Sequence, residues 1–359
     1  MICPLNWGLG HATRCIPLIA QWQELGCEVT LAASGRPLAL LRQRFPSLRT
    51  IEFPDYHIRV PKSKRLILHL LIRWPWLLYH IRAERKTLQR LIAQHHFDVI
   101  VSDNRYGLWS PLAHCILITH QIMLKAPKGF RFGEGIVHRK LLRQFQHFDE
   151  IWIPDVEGVP NLSGDLSHQY PLPPHARYIG WMSRFAVSPD SIDSAVAKNY
   201  DITVLISGPE PQRSYFEDIL VKQMRELKGS FCIIRGCPDQ PNRTSSEAHI
   251  DFVNHADDAA LTQIIRSSRC LICRPGYSTL MDLIYLGKSA VLVPTPGQTE
   301  QIYLGERMHA QGWFVTQPQS SLRLSSLLDD PSENRSPKID LQGKTLDLAS
   351  LIPIAGTTG

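Results

Sequence analysis

Short apolar runs alternate with stretches of helical periodicity along most of the chain. Ile2–Leu5 predicts a strand, and it runs into the turn Gly8-Leu9-Gly10. Apolar positions Ile16, Leu18, Ile19, Trp22 and Leu25 predict a helix that Gly26 closes, and Glu28–Ala33 reads as the next strand. Further strands are expected at Asp98–Ser102, Cys115–Thr119, Glu150–Pro154 and Ala176–Gly180. A second series starts at Ile202–Ser207 and continues through Phe231–Arg235, Cys270–Arg274 and Ala290–Pro294. Strands separated by helices predict parallel α/β sheets. The two series predict two doubly wound domains facing a cleft, residues 1–178 and 179–359, with the stiff stretch Pro171–His175 just before the boundary. The C-terminal end is weakly patterned.

Composition narrows the picture. The chain has 359 residues, of which 43% are apolar and 20% charged, enough to fold two globular domains. No uninterrupted apolar run reaches the length of a transmembrane helix, and the N-terminus has no signal-peptide pattern. Eight cysteines in such a chain imply reduced thiols and a cytoplasmic location, so the sequons at Asn161 and Asn242 read as chance matches. Charge is uneven: residues 1–150 hold 21 Lys/Arg against 10 Asp/Glu, and the rest holds 18 against 23. An anionic partner is therefore expected on the N-terminal side.

Several motifs fail on inspection. After Gly8-Leu9-Gly10 comes His11-Ala12-Thr13, so the third glycine of a dinucleotide fingerprint is missing. Gly287-Lys288-Ser289 lacks the earlier glycine of a phosphate loop, because Asp282 stands there. Gly276-Tyr277-Ser278-Thr279-Leu280 lacks the closing glycine of a nucleophile elbow. Cys270 and Cys273, with Cys232 and Cys237, fit no standard zinc spacing and read as buried thiols; no metal site is expected. No Asp-x-Asp occurs.

Two glycine loops remain, each opening a helix: Gly8–Arg14 and Arg274–Asp282. Free backbone N–H groups and the helix dipole would face an anion there. Arg274, Gly276, Ser278 and Thr279 suit a phosphate, and Asp282, one turn on, suits the hydroxyls of a ribose. The loop Pro294-Thr-Pro-Gly-Gln-Thr-Glu-Gln301 brings Gln298, Glu300 and Gln301 for the hydroxyls of a sugar. Together they describe a nucleotide-sugar site.

Arg274-Pro-Gly-Tyr-Ser-Thr-Leu-Met-Asp282, Pro294–Gln301 and Asn6-Trp-Gly-Leu-Gly-His11 resemble blocks of the MurG-like GT-B glycosyltransferases of family 28 over about Leu5 to Phe314. The resemblance implies two Rossmann-like domains. It implies inverting, metal-independent transfer of a hexose or N-acetylhexosamine from a UDP-sugar, a substrate and not a cofactor, to a lipid-linked or cell-envelope acceptor. It puts His11 on the family histidine, and an imidazole suits the role of base. Asp103 would orient it, as in plant-type transferases of the same fold. Gly208 falls in the second donor loop, Arg213 follows it, and His255 ends the segment expected to hold the base. The family usually carries Glu where Asp282 stands. On the acceptor side Gly8, Gly10, Asn104 and Glu134 are expected, the last with His138 in a lid-like segment bearing Gly129, Gly133 and Gly135.

Residues 62–90 carry eight Lys/Arg and one acid, Glu84, interleaved with Trp74, Trp76, Tyr79 and leucines. This suits peripheral contact with an anionic membrane surface; the plain alternative is a packed helix with a solvated basic face. The clustered aromatics and the lack of a recognised module argue against nucleic acid. Two other functions fit the same fold: a non-hydrolysing UDP-N-acetylglucosamine epimerase, which would need several cleft carboxylates, and a non-catalytic nucleotide-sugar-binding subunit.

Overall fold

The computed structural model describes residues 1–55, 74–126, 133–187, 198–240, 248–329, 339–340 and 344–346. The first sheet holds seven parallel strands: β1 (Ile2–Pro4), β2 (Thr30–Ala33), β3 (Arg49–Glu52), β4 (Val99–Asp103), β5 (His114–Ile118), β6 (Glu150–Ile153) and β7 (Ala176–Tyr178). Their order is β3-β2-β1-β4-β5-β6-β7. The second sheet has the order β10-β9-β8-β11-β12-β13, again parallel. Its strands are β8 (Tyr200–Leu205), β9 (Phe231–Ile234), β10 (Ile250–Val253), β11 (Ser268–Cys273), β12 (Val291–Leu292) and β13 (Val315–Thr316). Each sheet is doubly wound, so each has a switch point where strand order reverses, between β1 and β4 and between β8 and β11. Ligands bind outside the carboxyl ends of the strands at such a point.

The described helices are α1 (Gly10–Glu24), α2 (Gly35–Arg44), α3 (Trp74–Gln94), α4 (Glu134–Phe145), α5 (Asp165–His168), α6 (Gln212–Arg225), α7 (Asp258–Ser267), α8 (Tyr277–Tyr285), α9 (Thr299–Ala310) and α10 (Leu324–Asp329). Helix α1 buries Ile16, Leu18, Ile19 and Trp22 of the predicted apolar face, whereas Leu25, at the C-cap past its last turn, is 50% exposed. That cluster continues into Tyr277, Leu280 and Ile284 of α8, so one apolar core spans both sheets. Backbone hydrogen bonds join Trp181 to Lys344 and Leu346, which brings residues 344–346 to the junction between the sheets.

Strands β3, β10 and β13 were not among the expected ones. β3 is a polar edge strand with its end residues exposed, and β13 has two half-buried residues. Neither carries the apolar run that announces a buried strand. Part of the basic segment, residues 56–73, lies outside the described residues. The rest forms α3, whose lone acid Glu84 is buried against Arg105 at 2.7 Å. No described helix is long and apolar enough to cross a membrane.

Candidate active site

The carboxyl ends of β1 and β4 place Gly8–His11 and Asp103 at the first switch point, with Pro4 paired to Asp103. Gly8 sits at φ +85°, a left-handed conformation that suits glycine and turns the chain into α1. His11 lies in the first turn of α1, and its Nδ1 is 2.7 Å from Asp103 Oδ1. The Asp103 carboxylate accepts there, so Nδ1 carries the proton and Nε2 keeps its lone pair. The His11 side chain is 15% exposed while Asp103 is fully buried, so the ring, and not the carboxylate, meets the cleft.

A third residue completes this cluster. Arg14 Nε donates to Asp103 Oδ2 at 2.6 Å, and Nη2 donates to Oδ1, a bidentate pair deep in the protein. Burial opposes ionisation of Asp103, but Arg14 and then His11 prevail and hold its carboxyl well below the usual range. Arg14 Nη1 lies 3.2 Å from His120 Nδ1. A guanidinium cannot accept, so His120 Nδ1 accepts and its Nε2 holds the proton. That Nε2 donates to Glu300 Oε1 at 2.8 Å, across the cleft. The His120 ring stacks on Tyr277 at 4.1 Å. Burial lowers the basicity of His120, against the pull of Glu300.

At the second switch point, Gly208 (φ +100°) follows β8, and Gly276 caps α8 after β11. A Cβ on Gly208 would meet nothing within 4 Å, so the loop borders open space. The two glycine loops touch. Ser278 Oγ donates to the Gly10 carbonyl at 2.7 Å, and a Cβ on Gly8 would lie 3.5 Å from the Gly208 backbone. Helices α1, α8 and α9 have no side-chain cap at their N-termini. Their first N–H groups are therefore not taken by a capping side chain, whereas Asp257 caps α7. Such termini favour an anion.

Several expected ligands turn out to hold the fold. The Arg274 guanidinium points inward, donating to Val293 O at 2.8 Å and Gln319 Oε1 at 2.7 Å over the Phe216 ring. Burial lowers its pKa to about 9. It is 1% exposed, which corrects the expectation of a side-chain phosphate contact. Arg213 is likewise buried between Glu210 (2.7 Å) and Glu217 (3.0 Å). Asp282 accepts from Ser183 Oγ at 2.8 Å and pairs with Arg184 at 3.4 Å. Burial raises its pKa to about 6. Gln301 Oε1 accepts from Thr295 N and so shapes its own loop. Glu134 accepts from Ala126 N, and His138 is buried against Tyr170; both lie in the regular helix α4, which corrects the lid for the described part, while residues 127–132 lie outside it.

Others keep part of their surface or donors free of the fold. Thr279, Gln298 and His255 are half-buried, His255 with its basicity lowered by burial and then by Arg184. Asn104 follows Asp103 at φ +59°, with Tyr106 and Thr119 hydroxyls both donating to its Oδ1 at 3.3 Å. That leaves its amide N–H groups for another acceptor. Arg14 and His120 were missed by sequence reasoning. Arg14 lies one turn after His11, where a helix stacks i and i+3, but nothing in the sequence ties it to Asp103.

Residues 238–340 match the glycosyltransferase family 28 C-terminal domain. An uncharacterised glycosyltransferase of Methanopyrus kandleri is 24% identical over 98% of this chain and 99% of its own length. Among solved structures, the spinosyn rhamnosyltransferase SpnG superposes with a TM-score of 0.62 at 15% identity, covering 97% of each chain. MurG of Acinetobacter baumannii superposes with a TM-score of 0.50 at 12% identity, covering 99% of this chain and 96% of its own. The shared architecture is GT-B, two parallel-sheet domains about a cleft.

Proposed function

We propose that this chain, a glycosyltransferase of the GT-B fold with a family 28 C-terminal domain, inverts the anomeric centre of a sugar as it moves it from a pyrimidine nucleoside diphosphate, UDP first, to a lipid-linked acceptor. The observation that carries this reading is the His11–Asp103 pair at 2.7 Å, with Gly10, the residue before His11, bonded to Ser278 in the first turn of α8. In the proposed reaction His11 Nε2 takes the proton of the acceptor hydroxyl as that oxygen attacks the anomeric carbon. The anionic Asp103 holds the imidazole in the required tautomer and stabilises the imidazolium that forms.

The bond to the diphosphate breaks as the new one forms, and the departing charge meets the uncapped N-terminus of α8. The reading is metal-independent because those dipoles supply the positive potential and the sequence has no Asp-x-Asp. A pyrimidine donor is favoured by a fold relative: SpnG has been solved with thymidine diphosphate. An epimerase would need free cleft carboxylates, and Asp103, Asp282 and Glu300 are each bonded to protein donors. A thermal-shift panel of UDP, TDP and GDP sugars tests the donor, because a ligand raises the midpoint by mass action. A shift with UDP-sugars and an inverted product anomer by NMR are expected; no shift with any nucleotide sinks the proposal.

The acceptor side is proposed to rest on an anionic membrane. Tyr79, Arg82, Lys86 and Arg90 are exposed along one side of α3, while Glu84 faces inward to Arg105. Helix α4 adds exposed Ile136, Arg139 and Arg143, and its only acid, Glu134, is buried. Cations with apolar tips and no exposed acid on these two helices suit lipid head groups.

A further inference from the structure

The buried polar chain His11–Asp103–Arg14–His120–Glu300 starts at the proposed base and ends on the opposite domain. Each link has one chemical sense. Glu300 accepts from His120 Nε2 at 2.8 Å, His120 Nδ1 accepts from Arg14 Nη1 at 3.2 Å, and Arg14 Nε donates to Asp103 at 2.6 Å. Asp103 then accepts from His11 Nδ1 at 2.7 Å. Arg14, Asp103 and His120 are at most 4% exposed, so water does not readily replace any of these partners.

The direction of every bond follows from Arg14 being a donor only. If His120 loses Glu300, Arg14 still asks Nδ1 to accept, but the Gln121 amide donor 3.5 Å from Nε2 pulls the other way. The ring can then take the other tautomer, whose Nδ1–H faces the guanidinium. Arg14 would meet a donor where it needs an acceptor, and its fork on Asp103 would shift. Asp103 has two oxygens to share among Arg14, His11 and the Cys15 thiol at 3.4 Å, so a shift of the fork redistributes the bond that aims His11. Glu300 stands in the first turn of α9, directly after the loop expected to hold the donor sugar. Its contact with His120 therefore exists only when the donor domain is seated on the first sheet.

We propose that Arg14 and His120 are positioning residues that couple the seating of Glu300 across the cleft to the alignment of His11. The base is then correctly aimed only in the closed arrangement, which keeps the activated sugar from water until both domains meet. This deepens the function proposed above and rests on it for the word base. The relay itself can be read without turnover.

The test uses the full-length protein with 15N-labelled histidine. Long-range 1H–15N spectra report the tautomer of each ring, with UDP as the added probe. In the wild type His120 is expected in the Nε2–H form and His11 in the Nδ1–H form. His120→Phe keeps a ring to stack on Tyr277 and removes both hydrogen bonds. It should convert a measurable share of His11 to the other tautomer. His120→Asn, which keeps an oxygen near the Nδ1 position for Arg14, should restore much of the wild-type signal. Glu300→Ala should scramble the His120 tautomer first and His11 with it.

With a donor that turns over, His120→Phe should lower kcat by roughly 10–100-fold while the donor KM changes little, as for loss of a transition-state contact. In an Asp103→Asn background the same change should cost almost nothing more, because the relay is already cut. Unchanged His11 spectra in a folded His120→Phe protein overturn the relay, whatever the turnover assays give. So do fully multiplicative losses in the double variant. Intact tautomer coupling with no nucleotide shift would instead spare the relay and fail the glycosyltransfer reading.

Discussion

The loop after β1 and the loop after β11 each leave the switch point of their sheet, on opposite sides of it, and both open a helix without a side-chain cap. They use their ionisable groups in opposite senses. In the first, Asp103 and Arg14 are buried behind His11, and their pairing turns the imidazole edge outward. In the second, the Arg274 and Asp282 side chains are spent on protein partners, and no side chain caps the helix N-terminus between them. A side chain that must move a proton needs an orienting partner behind it. A diphosphate needs only donors that stay put, and helix termini held by a rigid interior meet that need.

Removing the proton acceptor should break this contrast most deeply. His11→Ala is expected to lower the transfer rate on the order of 10²–10⁴-fold, the usual worth of a general base. Nucleotide binding in a thermal-shift assay should survive, since no donor group of the second loop is touched. Equal loss of both would mean that the two loops bind as one unit and that the division of labour is wrong.

The opposite pattern is expected for Arg274→Met. The methionine fills space over Phe216 but abandons Val293 O and Gln319, bonds from a charged donor. The folded state should lose about 3 kcal/mol, seen as a lower urea midpoint, while the folded fraction still binds the nucleotide. A normal midpoint with lost binding would return Arg274 to the phosphate.

Much of this arrangement can be read from the chain, and the unreadable part has a physical reason. Alternating apolar runs mark β1, β2, β4 and β5 because those strands are buried on both faces. The glycines at 8 and 208 are legible because a left-handed turn leaves few other residues. Which way a polar side chain points is not legible. Arg274 and His11 look alike as residues of a glycine loop, yet one is 1% exposed and faces a carbonyl and an amide. His120 belongs to the site through partners 106 and 180 positions away, a relation that only the tertiary fold creates.

The basic face of α3 offers a smaller effect, confined to where the enzyme sits. Charge reversal at Arg82, Lys86 and Arg90 should abolish flotation with vesicles containing phosphatidylserine and leave the thermal midpoint unchanged, because these residues are exposed. Flotation of the wild type should also weaken as salt rises. A variant that floats normally would leave α3 as a packed helix with a solvated face.

The subtlest test concerns the carboxylate of the second loop. Asp282 is 8% exposed, and its pKa stands near 6 because burial penalises the charge more than Arg184 and Ser183 relieve it. A carboxyl raised in the folded state binds its proton more tightly there than in the unfolded chain. Its contribution is therefore fullest below the ordinary carboxylate range and is lost as pH climbs to about 6. Asp282→Asn removes the titration, and its amide oxygen can still accept from Ser183. The variant should be more stable than the wild type at about pH 8, by about 1–2 kcal/mol after the loss of the Arg184 pair, and the gap should close near pH 4.5. Such a profile with intact nucleotide binding assigns Asp282 to the junction between the domains. A flat profile with lost binding would instead show that the carboxylate serves the ribose, and the second loop would then use a charged side chain much as the first does.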